Sequence, residues 1–100
     1  MEKLLRKLHL IGIGGTGMRP LAEIARHQGY EVSGSDQGPS ANTDKLLALG
    51  MDVKIQHDPR QLPLGPCRVV VSSAIKPDNP ELLEAQRRGS RALDRVRASC

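Results

Sequence analysis

Residues 12–17 read Gly-Ile-Gly-Gly-Thr-Gly and close a largely apolar run that begins at Leu8. Glycine loses more conformational freedom on folding than any other residue, so four among six residues mark a place where the backbone itself is needed. The run fits G-x-G-x-x-G, and its surroundings are the ones that pattern requires. Leu8 to Ile13 predicts a short buried strand, apolar and ended by glycine. From Thr16 to Gln28 the apolar positions Met18, Leu21, Ala22, Ile24 and Ala25 recur at gaps of three and four, which predicts a helix. Pro20 then falls in the first turn, where a missing N–H costs least, and Gly29 stands where a left-handed cap ends the helix. The first glycine of such a turn allows a tight bend, the second admits a phosphate to the backbone, and the third lets helix and strand pack closely. Free N–H groups and the positive end of the helix dipole then face the anion.

The same alternation continues along the chain. Tyr30–Ser35 reads as a second strand, and "DQGPSANT" is rich in turn residues. Thr43 is placed to cap a short helix through Leu49, closed by Gly50. Met51–Ile55 is a third strand. The segment "HDPRQLPLGP" carries three prolines and room for one helical turn. Arg68–Val71 is a fourth strand, and Pro80–Gly89 a helix with proline at its start and glycine at its end. Strands alternating with helices predict an α/β, Rossmann-like three-layer domain with a mostly parallel sheet of four or five strands.

With 100 residues the chain is one small domain, and with one Tyr, no Phe and no Trp its core must be aliphatic. That composition speaks against aromatic platforms for single-stranded nucleic acid. Residues 1–86 carry ten Lys/Arg and ten Asp/Glu, so the net charge of +4 comes from residues 87–100. A basic tail of this kind predicts a solvated segment and no nucleic-acid partner. Cys67 and Cys100 have no His or Cys at metal spacing, so no metal site or disulfide is expected, and Cys67 reads as a buried free thiol. No stretch approaches membrane-spanning length and no signal-type cleavage site follows the first apolar run, so a cytoplasmic protein without a membrane partner is expected.

An acidic residue is expected about 20 positions beyond the glycines, at the end of the second strand and facing a ribose. Asp36, 19 residues after Gly17, meets that expectation. The residues thus point to a nucleotide diphosphate without separating a dinucleotide such as NAD from a nucleotide sugar.

Three strings go further. "HLIGIGGTGM", "LAEIARHQGYEVSGSD" and "VVVSSAIKPDNPELLEAQRRG", in this order and spacing, closely resemble the amino-terminal domain of the Mur ligases, and most of all its alanine-adding members. The resemblance spans about residues 7–89 and implies a UDP-sugar-binding domain over 1–89 of a peptidoglycan-precursor, ATP-dependent amide ligase. It implies that the backbone of Gly14, Gly15, Thr16, Gly17 and Met18 meets the UDP pyrophosphate of UDP-N-acetylmuramate. Ser35 and Asp36 would lie near the ribose or uracil, and Ser72, Ser73 and Ala74 would line the same crevice. His57 matches a family histidine after the third strand, and the Met18 side chain is expected to serve helix packing. Asn79 and Glu81 look structural, shaping the start of the last helix.

The resemblance also sets limits. The family's full enzyme uses ATP and magnesium in a second domain and receives the amino acid in a third. This sequence has no G-x-x-x-x-G-K-[ST] loop, so no cofactor is expected on this chain, no catalytic residue is assigned to it, and it is expected to be inactive without those partner domains. After Gly89 the family pattern gives way to "SRALDRVRASC", so residues 90–100 read as a basic tail, disordered or weakly helical and foreign to the family. A sheet lacking its next strand would expose an edge that invites self-association. Two other readings remain open at this stage: an NAD-binding domain of an oxidoreductase or sensor, resting on Gly12, Gly14, Gly17 and Asp36 alone, and a non-catalytic assembly module.

Overall fold

The structure is a computed structural model that describes residues 7–63, 67–88 and 92–96, the last of these by backbone alone. Nine elements follow one another: β1 (Lys7–Ile11), α1 (Met18–His27), β2 (Glu31–Asp36), α2 (Ala41–Ala48), β3 (Asp52–Ile55), a 3-10 turn (Pro59–Gln61), β4 (Arg68–Ser72), α3 (Pro80–Arg87) and β5 (Ala92–Val96). The five strands form one sheet in the order β3-β2-β1-β4-β5, every pairing parallel. This is the expected three-layer α/β architecture.

Alternation along the strands sorts residues onto two faces. Leu8 and Leu10 of β1, Val32 of β2 and Val53 of β3 meet Met18, Ala22 and Ala25 of α1 and Leu46 of α2. Ile11, Val69 and Val71 meet Leu62, Leu82 and Ala85 beneath α3 and the 3-10 turn. His9, Ser33 and Ser35 alternate with the first set, so they too point away from α1 and α2.

The helix starts differ from the expectations in instructive ways. α1 opens at Met18 with Gly17 as its cap and no side-chain cap bond, so two more residues of the glycine run stay outside the helix than the apolar spacing suggests. α2 is capped by Ser40, not Thr43. Ser40 Oγ accepts from the Thr43 amide at 3.2 Å while Thr43 Oγ1 accepts from the Ser40 amide at 2.7 Å, a reciprocal box in which Thr43 is the inner partner. Asn79 does shape the start of α3: its Oδ1 accepts from the amides of Glu81 and Leu82 at 2.9 and 3.2 Å. Cys67 is free and half-buried, and burial pushes its thiol up against the pull of the Arg88 and Lys7 charges.

The tail is the main correction. Residues 92–96, expected as disordered or weakly helical, form β5 and pair with Val69–Ser72 of β4, with an irregularity opposite Val70 and Val71. Among the described residues the strand has β4 as its one neighbour, so main-chain hydrogen bonding to a buried strand carries it where composition cannot. Residues 89–91 and 97–100, including Gly89 and Cys100, lie outside the described residues. At the other outer strand, β3 exposes Asp52 and Lys54, paired at 3.3 Å, a charged edge of the kind that discourages strand addition.

Candidate functional site

β1 lies between β2 and β4, so the chain builds outward on one side of β1 before returning to the other. Such a switch point opens a crevice beyond the carboxyl ends of the strands. Its walls are the glycine run after β1 and the Ser72–Ala74 turn after β4. Gly12 turns the chain at a φ of +86°, and a Cβ there would stand 2.8 Å from Ser72 Cβ, so the two walls touch at their base.

Most of the loop's amides are already bonded. Those of Gly12 and Ile13 donate to the Ser35 carbonyl at 2.8 and 3.0 Å, and that of Gly15 to the Gly12 carbonyl at 3.0 Å. Those of Met18 and Arg19 donate to the Gly15 carbonyl at 3.0 and 3.2 Å. The Gly14 amide donates to Asp36 Oδ2 at 2.8 Å, and Asn42 Nδ2 donates to the Gly14 carbonyl at 2.9 Å. Two amides, Thr16 and Gly17, make no hydrogen bond among the described residues, and Thr16 is exposed at the start of α1.

This narrows the expected anion seat and corrects one of its reasons. The missing Cβ of Gly14 does not leave room for a phosphate. A Cβ there would meet Asp36 Oδ2 at 2.8 Å, Thr43 Cγ2 at 2.9 Å and Ser40 Oγ at 3.1 Å, so the glycine is required by the close approach of the β2–α2 segment. Asp36 divides its carboxylate between the amides of Gly14 and Gln37, the latter at 2.8 Å, and so ties the glycine run to the end of β2. The Met18 side chain is buried against the sheet, as expected of a packing residue. Ser72 is buried, with Oγ accepting from the Ala74 amide at 3.3 Å, while Ser73 and Ala74 are exposed at the rim.

Beside the crevice, under α3, lies a buried polar cluster built on Glu81, which has no solvent exposure. Glu81 Oε1 accepts from His9 Nε2 at 2.5 Å and from Ser35 Oγ at 2.9 Å. Its Oε2 accepts from the Asp58 amide at 3.0 Å and from Gln61 Nε2 at 2.7 Å. His57 Nδ1 lies 2.8 Å from Ser35 Oγ and 3.5 Å from Glu81 Oε2, and His9 Nδ1 lies 2.8 Å from Ser33 Oγ. Burial pushes the Glu81 carboxyl up, but the His9 ring, the Asp58 amide and the Ser35 hydroxyl together outweigh it and hold the carboxyl below its ordinary value. Ser35, His57 and Glu81 are not a nucleophilic relay. Ser35 is fully buried, and its hydroxyl meets the same ring nitrogen that faces the carboxylate, whereas a relay needs the two opposite nitrogens.

The family model described as "Mur ligase family, catalytic domain" matches residues 7–98. The chain belongs to the Mur ligase family. The match runs past Gly89, where the sequence alone reads the pattern as breaking off. Among curated relatives, the UDP-N-acetylmuramate–L-alanine ligase of Burkholderia ambifaria is 44% identical over 96 residues, covering 96% of this chain and 20% of that protein. That of Bifidobacterium adolescentis is 51% identical over 87 residues, covering 87% and 16%. This Mur ligase chain thus spans about a fifth of the length of the curated relatives it matches. Solved structures agree: the UDP-N-acetylmuramate–alanine ligase of Thermotoga maritima superposes with a TM-score of 0.78 at 30% identity, covering 83% of this chain and 19% of that one. A murein peptide ligase of Psychrobacter arcticus superposes with a TM-score of 0.80 at 29% identity, covering 88% and 18%.

The candidate substrate-binding residues, from Gly14 to Met18 with Ser35, Asp36, His57 and Ser72 to Ala74, stand at or just beyond the carboxyl ends of β1, β2, β3 and β4. What the sequence reading missed is the polar cluster. Glu81 is structural, as expected, but it links β1, β2, the 3-10 turn and α3, not α3 alone. His9 gave the one usable signal, a polar residue in the middle of an apolar strand.

Proposed function

We propose that this Mur ligase chain binds the diphosphate of a UDP-sugar, UDP-N-acetylmuramate, in the crevice between the glycine run and the Ser72–Ala74 turn. The observation that carries the reading is the pair of open amides at Thr16 and Gly17, set at the amino end of α1 and at the switch point of the sheet. Two adjacent N–H groups at a helix start suit a phosphate oxygen, and the helix dipole adds about 0.3–1 kcal/mol. The relatives' names, not the packing around Gly14, set the sugar nucleotide against NAD. In the whole ligase, this segment would hold and orient the nucleotide while the muramyl carboxylate is joined to L-alanine. The residues present do not fit ATP and magnesium: the sequence has no P-loop, and no three metal-ligating side chains gather among the described residues. Accordingly no chemical step is placed on this chain.

A ligand that binds only the folded state raises its melting temperature. UDP-N-acetylmuramate and UDP at millimolar concentration are expected to do so, and NAD is not. A folded sample that ignores both uridine nucleotides, or responds to NAD alone, overturns the reading.

A further inference from the structure

Within the glycine run, the Gly14–Gly15 peptide is the one with glycine on both sides, so no Cβ resists rotation of its plane. The structure holds that plane at both ends. Its N–H, that of Gly15, donates to the Gly12 carbonyl at 3.0 Å and closes a four-residue turn. Its carbonyl, that of Gly14, accepts from Asn42 Nδ2 at 2.9 Å. A carbonyl oxygen can only accept, so the atom of Asn42 that faces it is the amide nitrogen. Asn42 lies in the first turn of α2, between the two members of the capping box, Ser40 and Thr43. Their reciprocal bonds fix the backbone from which its side chain reaches. The glycine run is therefore tied to a capped helix start and not to a free loop. Asp36 Oδ2 grips the preceding peptide through the Gly14 amide at 2.8 Å, so a carboxylate and a carboxamide hold successive peptides.

The two open amides, Thr16 and Gly17, follow this plane directly. With no bond of their own among the described residues, they take their direction from what flanks them. On one side is α1, whose Met18 and Arg19 amides bond the Gly15 carbonyl. On the other is the Gly14–Gly15 plane. We propose that Asn42 is a positioning residue for the diphosphate: its carboxamide pins this peptide and so keeps the Thr16 and Gly17 N–H groups in one fixed direction, without touching the nucleotide. The inference rests on the nucleotide-binding reading above and adds to it a residue of α2, outside both walls of the crevice. Without the donor the all-glycine peptide is free to turn, and the two amides lose their common direction. The diphosphate is then held less tightly, and no other part of the nucleotide is affected.

Two variants of the full 100-residue chain test it. Asn42→Leu keeps the branched shape and cannot donate, and Asn42→Ala removes the donor without crowding the site. Asn42 is half-buried and neither change touches the side chains of the capping box, so both variants are expected to fold. Proton–nitrogen-15 NMR of the ligand-free proteins reads the pin itself. The Gly15 signal should move, because its peptide loses the bond on its carbonyl, and those of Thr16 and Gly17 should move with it. Titration with UDP and with inorganic pyrophosphate, followed by the same signals, reads the consequence. Both variants are expected to bind both ligands about three- to tenfold more weakly than the wild type, the scale of one neutral hydrogen bond. The factor should be the same for the two ligands, since the diphosphate is what they share. A merely structural role would lower the melting temperature and leave both affinities of the folded protein unchanged. Variants that bind as the wild type does, that lose UDP but keep pyrophosphate, or that leave the Gly15 signal unmoved overturn the proposal, while UDP binding itself stands. If the wild type binds neither ligand, the nucleotide-binding reading fails and this one falls with it.

Discussion

The two faces of the sheet are built on different principles. Under α1 and α2 the layer is an aliphatic cluster of Leu8, Leu10, Val32 and Val53 against Met18, Ala22, Ala25 and Leu46, closed by close packing, with Asp36 at its end. Under α3 and the 3-10 turn the layer is split. Over β1 and β4 it is aliphatic, while over β1 and β2 it is a set of buried polar groups converging on one carboxylate. Hydrocarbon packing fixes a layer but is indifferent to a shift of a few tenths of an ångström. Directed hydrogen bonds are not. The polar half therefore suits the place where the segment after β3, the end of β2 and the start of α3 must hold one geometry beside the crevice. The cost is a dependence on partners and on pH that the aliphatic face does not share.

The largest effect expected to separate the faces comes from Glu81→Ala. It strands His9, Ser35, the Asp58 amide and Gln61, and each donor left unsatisfied at this cluster costs about 1–3 kcal/mol, so losing the acceptor of four hydrogen bonds makes this the largest loss. Leu10→Ala, at a fully buried position on the other face, should cost about 2–5 kcal/mol through lost transfer energy and the cavity left behind. Urea denaturation of both variants measures the pair. A Glu81→Ala cost below about 1 kcal/mol would mean that the cluster relaxes or rehydrates freely, and the contrast between faces would be lost.

A smaller effect sharpens the contrast, because only one face holds a fully buried carboxylate among the described residues. Glu81 is held below its ordinary value in the fold, so the folded state binds fewer protons there than the unfolded chain. Its contribution is complete above the unfolded carboxylate range, about 4.3, and is lost as pH falls from there through the folded value. Asp58, held at about 2 by its hydrogen bonds to Arg60, and Glu84, held at about 2 by Arg87 and Arg88, add to the same acid limb. They do so in every variant, so the difference between wild type and Glu81→Gln isolates Glu81. Stability measured between pH 6 and pH 3 should fall less steeply in Glu81→Gln, whereas Leu10→Ala should lower the curve and leave its slope unchanged. Parallel curves for wild type and Glu81→Gln would show that the carboxylate is not specifically stabilised in the fold.

The same division decides what could be read from the sequence. The aliphatic face was legible because apolar spacing reports it directly: Met18, Ala22 and Ala25 on α1 and the strand residues opposite them follow from periodicity. The crevice was legible because glycines before a helix have few physical uses. Glu81 was not, because a glutamate in the first turn of a helix is ordinary on a surface, and its burial depends on residues 72 positions away in the chain. Gly14 was misread for a related reason. Its lack of a side chain is demanded by Asp36 and Thr43, whose approach is tertiary and leaves no local pattern. β5 was hidden because an edge strand draws on its neighbour's backbone more than on its own composition.

The smallest expected effect lies at the seam between these regions. Gln56 follows β3 with a φ of 76°, the one non-glycine residue in the left-handed region among those described. Its amide donates to the Asp36 carbonyl at 2.6 Å, and its carbonyl accepts from Gln61 Nε2 at 2.9 Å. The turn thus joins the end of β2 to the polar cluster and delivers His57 to its place. Both bonds use the main chain, so Gln56→Gly keeps them while removing a left-handed strain of about 1–2 kcal/mol. Against this stands the greater freedom glycine gives the unfolded chain, about 0.4–1 kcal/mol. A net gain of a few tenths to about 1 kcal/mol in urea denaturation is expected, with UDP affinity unchanged. A loss of stability would show that the Gln56 side chain itself holds the turn, and an altered UDP affinity would show that the strained turn sets the position of His57.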